Sequence, residues 1–234
     1  MDRRNFNWMS VGCLAASGMA FHTTSHALSL ADLTSTQASQ GLRAALEQGA
    51  RAAVTSLGQP GGFLGNDKVR IPLPGYLEDA ASLLRKFGQG KKLDELIAAM
   101  NQAAEAAVPL AKDMLVNAVK SMSVQDAKNI LSGGETSVTQ FFADKTRAPL
   151  GLKFLSVVKK TTAQVNLAEK YNQVASKAAG MGLIKGEEVS VERYVTSKAL
   201  DGLYFMIGEE EKKIRQDPVG SGSALIQKVF GALK

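Results

Sequence analysis

Histidine, cysteine and tryptophan are almost missing from this 234-residue chain, and the few present sit at one end. They are Trp8, Cys13, His22 and His26. From Leu28 onward there is none of the three. Zinc, copper or iron sites of the ordinary imidazole and thiolate type therefore have no ligands in that region. A cysteine nucleophile and a serine–histidine pair are excluded there on the same ground. No disulfide can form, so this part must be held by its hydrophobic core alone. Strand-type alternation is also missing, as are a Walker loop, glycosylation sequons, internal repeats and low-complexity tracts. Gly180-Met181-Gly182 with Gly186 misses the dinucleotide fingerprint by one residue and follows no strand, so it reads as a loop. No cofactor is expected.

What is present begins with an export signal. Arg3 and Arg4 precede an uncharged, mostly apolar stretch from Trp8 to Phe21, and Ser25-His26-Ala27 places small residues at −3 and −1 of a cleavage site. This is the layout of a secretory signal peptide over residues 1–27, with an apolar stretch too short to cross a bilayer as a helix, which takes about 20 residues. Arg3-Arg4-Asn5-Phe6 resembles a twin-arginine signal, and both the Sec and the twin-arginine routes stay open. Cys13 lacks the flanks of a lipidation site, so lipid anchoring is not expected. The expected location is the periplasm, with residues 28–234 as a single helical domain and no transmembrane segment in it. The formal net charge of +6 is spread along the chain without basic clusters interleaved with aromatics, which argues against nucleic acid as a partner.

The fold class read from periodicity is all-α. Ala38, Leu42, Ala45, Leu46, Gly49, Ala53 and Leu57 share one face of a first helix. Gly58 to Pro74 is a proline- and glycine-rich connection whose Phe63, Leu64, Val69 and Ile71 suggest a loop packed on the body. A helix from Gly75 should end at Gly88. A long pattern from Leu93 to Met122 should break near Val108, because Pro109 removes a donor and crowds the preceding turn. Ser123 with Asp126 reads as a capping box for a helix that stops at Ser132-Gly133-Gly134. Thr136 caps a helix to Lys145, and after Pro149 two stretches follow, Leu150 to Lys160 and Thr162 to Ala179. Ser190 caps a helix to about Asp217, where Pro218 ends it. An amphipathic piece, Ala224 to Leu233, closes the chain.

Candidate site residues come from polar groups rising out of small apolar surroundings. Asn101, Glu105 and Lys112 stand at i, i+4 and i+11; Tyr194, Lys198 and Asp201 stand at i, i+4 and i+7. Among Ala199, Leu200, Leu203, Tyr204 and Phe205, Asp201 should lose water on folding and need a cation, for which Lys112, Lys198 and Arg70 are the candidates. Two readings stand side by side. In one, these residues form a polar network that locks helices and loop in register. In the other, they floor a ligand pocket.

Several segments taken in order resemble the bacterial domain of unknown function 4197 family. They include Gly62-Phe63-Leu64-Gly65, Ile71-Pro72-Leu73-Pro74, Met100-Asn101, Ala103-Ala104-Glu105 and Pro109. They continue with Asp126-Ala127-Lys128, Tyr171-Asn172, Tyr194-Val195-Thr196, Lys198-Ala199-Leu200-Asp201-Gly202-Leu203 and Val229-Phe230-Gly231. The resemblance spans about residues 32–231 and implies an exported helical protein without assigned activity or catalytic residues. At Gly220-Ser221-Gly222-Ser223 the chain departs from the family's Arg-Thr-type sequence.

The sequence thus points first to a non-catalytic binding or interaction domain whose partner is an envelope protein or a small molecule. The alternative is a carboxylate-based hydrolase of a cell-envelope glycan using Glu105 and Asp201. A Ser-x-x-Lys spacing at Ser156 and Lys159 lacks its partner motifs, and Lys228 with Lys234 gives only thin support for lipid attachment through the last helix. One expectation is directly measurable: the intact mass of envelope-extracted protein should correspond to a chain beginning at Leu28. A full-length mass in the membrane fraction would refute it.

Overall fold

In the computed structural model the described residues are 35–134, 136–164, 166–182 and 190–231. The signal peptide read over residues 1–27 lies outside them, as do Gly186 and Lys234. The described residues are mostly helical and contain no strand: α1 (Ser35–Leu57), α2 (Gly75–Leu84), α3 (Gly90–Ala107), α4 (Ala111–Lys120), α5 (Val124–Ser132), α6 (Ser137–Gln164), α7 (Leu167–Gly180), α8 (Val191–Gln216) and α9 (Ala224–Gly231).

Helix α8 is the axis of the packing, with α6, α1 and α3 laid against it. Its buried residues Val195, Ala199, Leu203 and Ile207 recur at every fourth position, which sets one continuous stripe towards those neighbours. Phe142, Phe154, Leu42, Leu96 and Met100 fill the space between them, each fully buried. Among the described residues no helix is long and apolar enough to cross a membrane.

The two prolines inside helical patterns behave differently. At Pro109 the helix breaks as expected: α3 ends at Ala107, and Val108–Leu110 form a single tighter turn before α4. At Pro149 the expected division does not occur. Helix α6 runs unbroken from Ser137 to Gln164 with Pro149 inside it. Proline at this position leaves the Lys145 carbonyl without its helical donor, and both residues are exposed, so water can replace the lost bond. The real break comes later, at Asn166, which takes a left-handed conformation (φ 51°) that asparagine tolerates better than most residues. Hence α7 begins at Leu167, and Thr162 belongs to α6.

The helix ends are mixed. Gly88 has φ 75° and stops the helical path after α2 where the sequence placed the stop. Ser190 occupies the position before α8 but does not cap it with its side chain; its hydroxyl donates instead to Glu192 Oε2 at 2.6 Å. Ser123 forms the full capping box. Its hydroxyl accepts from the Asp126 N–H at 3.0 Å, and Asp126 Oδ2 accepts from the Ser123 N–H at 2.9 Å.

Asp126 Oδ2 also accepts from the Ser123 hydroxyl at 2.8 Å, and the two bonds to this carboxyl, the backbone one first and the hydroxyl second, hold it below its ordinary range. Because the folded value is depressed, this contribution to stability is present above the unfolded value and fades as pH falls through the folded one. Ser123→Ala should therefore destabilise the protein by about 1 kcal/mol near neutral pH. In thermal melts across the acid range the gap between variant and wild type should narrow.

Candidate binding surface

Residues 58–74 cross the body as a non-helical segment, yet much of the segment is inside. Phe63, Val69, Ile71 and Leu73 are buried. Burying those side chains also draws in the backbone that carries them, and its amides and carbonyls then need partners. Helix α3 supplies them. Asn101, fully buried, accepts the Ile71 N–H at 2.8 Å and donates to the Ile71 carbonyl at 3.0 Å, with a further bond from Nδ2 to the Ile97 carbonyl at 2.8 Å. One amide side chain thus pairs with both backbone polar groups of one residue, as the opposite residue of an antiparallel strand would. One turn on, Glu105 Oε1 accepts the N–H groups of Phe63 at 3.0 Å and Leu64 at 3.2 Å. A buried carboxylate is tolerable when its charge is met by such donors.

Helix α8 holds the segment from the other side. The Tyr194 hydroxyl donates to the carbonyls of Pro72 at 3.1 Å and Leu73 at 3.2 Å, and burial raises the phenol's pKa above its ordinary value, with Glu78 adding to the effect. Asn66 Nδ2 reaches the Met206 sulfur at 3.8 Å, and Lys68 forms an ion pair with Glu209. The contact depends on a missing side chain. A Cβ at Gly202 would lie 2.7 Å from Phe63 Cε1 and 3.3 Å from Val69 Cβ, so only glycine lets the segment settle this close to α8.

The candidate residues separate into two groups. Asn101, Glu105 and Tyr194 meet the segment and pin it. Arg70, Lys112, Lys198 and Asp201 are exposed. Asp201 does not lose its water: its side chain is 47% exposed and its cation is Arg147 on α6, not Lys112, Lys198 or Arg70. Lys112 leaves the stripe of Asn101 and Glu105 because the chain passes through the tighter turn at Val108–Leu110. Three residues at 120° instead of 100° advance the phase by about 60°. Lys198 places its ammonium 5.9 Å from the centre of the Tyr194 ring.

Sequence reasoning missed Arg147, Thr146 and Tyr204. The Thr146 hydroxyl donates to the Phe142 carbonyl at 2.6 Å, and the Tyr204 hydroxyl lies 2.8 Å from Thr146 Oγ1. Threonine has one proton to give, so Tyr204 is the donor of the second bond. Burial raises the pKa of Tyr204 above the ordinary phenol value, and the Arg147 guanidinium sits 5.6 Å from its ring centre. Gly202, next to the nominated Asp201, was the one legible signal for a close approach.

On the elements that build this assembly, Asp67, Arg70, Lys198, Asp201, Arg147 and the ring of Phe205 are exposed. Glu105 and Asp201 do not form a matched pair of accessible carboxylates: one is buried with an oxygen committed to two amides, the other is in solvent with an arginine. Among the described residues no three acidic, histidine or cysteine side chains converge to hold a metal ion. The wider concavities lie elsewhere. One of about 380 Å³ separates α5 from α6 beside Phe141 and Asp144, and an open groove of about 630 Å³ runs past Lys92 and Gln173.

The family described as protein of unknown function, DUF4197, matches residues 32–231 of the chain. No curated protein and no solved structure matches it.

Two substitutions test the pinning. Gly202→Ala overfills the contact with Phe63 and should cost about 1–3 kcal/mol. Asn101→Ala leaves a buried N–H and carbonyl without partners and should cost at least as much. For a domain of this size that is roughly 2–4 °C in Tm per kcal/mol. Limited proteolysis should show new cleavage between residues 58 and 74 in both variants. Unchanged melting of Asn101→Ala would contradict the assignment.

Proposed function

We propose that this chain, which belongs to the DUF4197 family, is a non-enzymatic binding domain, exported and at work in the bacterial periplasm. The observation that supports this reading is how its conspicuous polar residues are used. Asn101, Glu105 and Tyr194 spend their hydrogen bonds on the backbone of residues 58–74. What this achieves is a non-helical segment held rigidly between α3 and α8, with its charged edge turned outward. Binding residues concentrate on loops positioned by a rigid scaffold, and a surface that is already ordered loses little conformational entropy when a partner docks.

The partner would meet Lys198 and Asp201, charges of both signs that share one face of α8 with the exposed ring of Phe205, and Asp67 and Arg70 on the segment. That mixture suits a protein surface of matching charge pattern, where exposed charges tune recognition and encounter more than raw affinity.

Asp201→Asn with Arg70→Ala should leave the fold intact, since exposed ion pairs contribute at most about 1 kcal/mol. In affinity capture from native envelope extract this double variant should lose the component that wild type retains. On purified peptidoglycan, wild type and Glu105→Gln should release equal, background amounts of soluble fragments. Release by wild type alone would replace the binding reading with glycan hydrolysis.

A further inference from the structure

Helix α6 carries a second surface, remote in character from the mixed patch on α8. Its inner face is fixed by Phe142, Leu150, Phe154, Val158 and Thr162, all buried. On the opposite side Ala148, Pro149, Leu152, Lys153, Ser156, Lys159, Lys160 and Ala163 are all exposed. At 100° per residue, Leu152, Ser156, Lys159 and Ala163 form the centre of this face, with Lys153 and Lys160 along one flank.

Charge sets this face apart. Between Asp144 and Glu169 the chain has no acidic residue but carries Lys145, Arg147, Lys153, Lys159 and Lys160. Arg147 is committed to Asp201, and Lys145 stands by Asp126 and Asp144 at the helix's beginning. Lys153, Lys159 and Lys160 have no ion-pair partner among the described residues. Helix α8 is a useful contrast, because its exposed lysines alternate with Glu192, Asp201, Glu209 and Glu210. A solvated face of that ordinary kind carries both signs. Here the sign is single, and Leu152, 76% exposed, stands in the middle of it.

We propose that this face of α6 docks on an anionic phospholipid surface, with Lys153, Lys159 and Lys160 at the headgroups and Leu152 entering the interface. Its uncharged positions are mostly small, and Leu152 is the large apolar side chain exposed among them. That geometry fits a flat, negatively charged, locally apolar partner. A basic helix face with an apolar side chain between its lysines is how interfacial helices adhere, and each lysine near such a surface strengthens attachment about fivefold. The proposal goes beyond the binding reading and uses different residues, so either can fail alone.

The test is co-sedimentation of the purified protein with vesicles of phosphatidylglycerol and phosphatidylcholine, or of phosphatidylcholine alone. Wild type should bind the anionic vesicles, release as salt shortens the screening length, and leave the neutral ones unbound. Replacing Lys153, Lys159 and Lys160 by Gln should weaken binding about a hundredfold. Replacing Lys86, Lys91 and Lys120, which removes the same charge elsewhere, should weaken it far less. Leu152→Ser should reduce affinity severalfold with the melting temperature unchanged. Equal losses in the two lysine triples would show that only net charge matters and would overturn the proposal. So would an unchanged Leu152→Ser, which would point to an acidic macromolecule in place of a bilayer.

Discussion

A stretch of chain that is neither helix nor strand is expensive to bury, because the donors and acceptors that its own turns leave unpaired must find partners elsewhere. The architecture turns on how that cost is met at Ile71, where Asn101 answers the N–H and the carbonyl together. Without it the apolar side chains on either side could not both remain inside. Glu105, one helical turn further, does the same for two successive amides at Phe63 and Leu64. The two residues convert α3 from an ordinary amphipathic helix into a template on which non-helical backbone is laid down.

Much of this was legible in the sequence, and the reasons differ from residue to residue. Apolar spacing placed α1 and the stripe of α8, because burial on one side of a helix leaves a period that packing rarely disguises. Gly88 and Ser123 were legible because their roles are local. Pro149 was misleading: its effect depends on whether the freed carbonyl faces water, which only the packed structure decides. Asn101 and Glu105 stood out as polar groups among alanines, and the network they build is real. What could not be read was the partner of Asp201. Arg147 lies 54 residues away, and an exposed aspartate amid apolar sequence neighbours looks the same as a buried one until the helix is rotated into place.

Membership of the DUF4197 family gains a physical content from this arrangement. Segments that are far apart in sequence, Gly62 to Gly65, Ile71 to Pro74, Asn101, Glu105 and Lys198 to Leu203, turn out to be one contact. The glycine at 202 exists for the ring at 63, and the tyrosine at 194 for the carbonyls at 72 and 73. Their common effect is shape.

The placement of α8 also governs when the molecule can become itself. The bonds from α3 to the extended segment span 30 to 42 residues, a modest entropic cost of closure, whereas those from α8 span more than 120. Contacts that close long stretches of chain come late and slow the search. A ribosome that has made α1 to α7 has therefore released an axle-less assembly: the segment is tied on one side, Phe63 has no surface to rest on, and the apolar flanks of α1, α3 and α6 stay open to solvent. Only when α8 emerges does the body close around it. The residues from α1 to α7 thus stay unfinished until α8 has been synthesised.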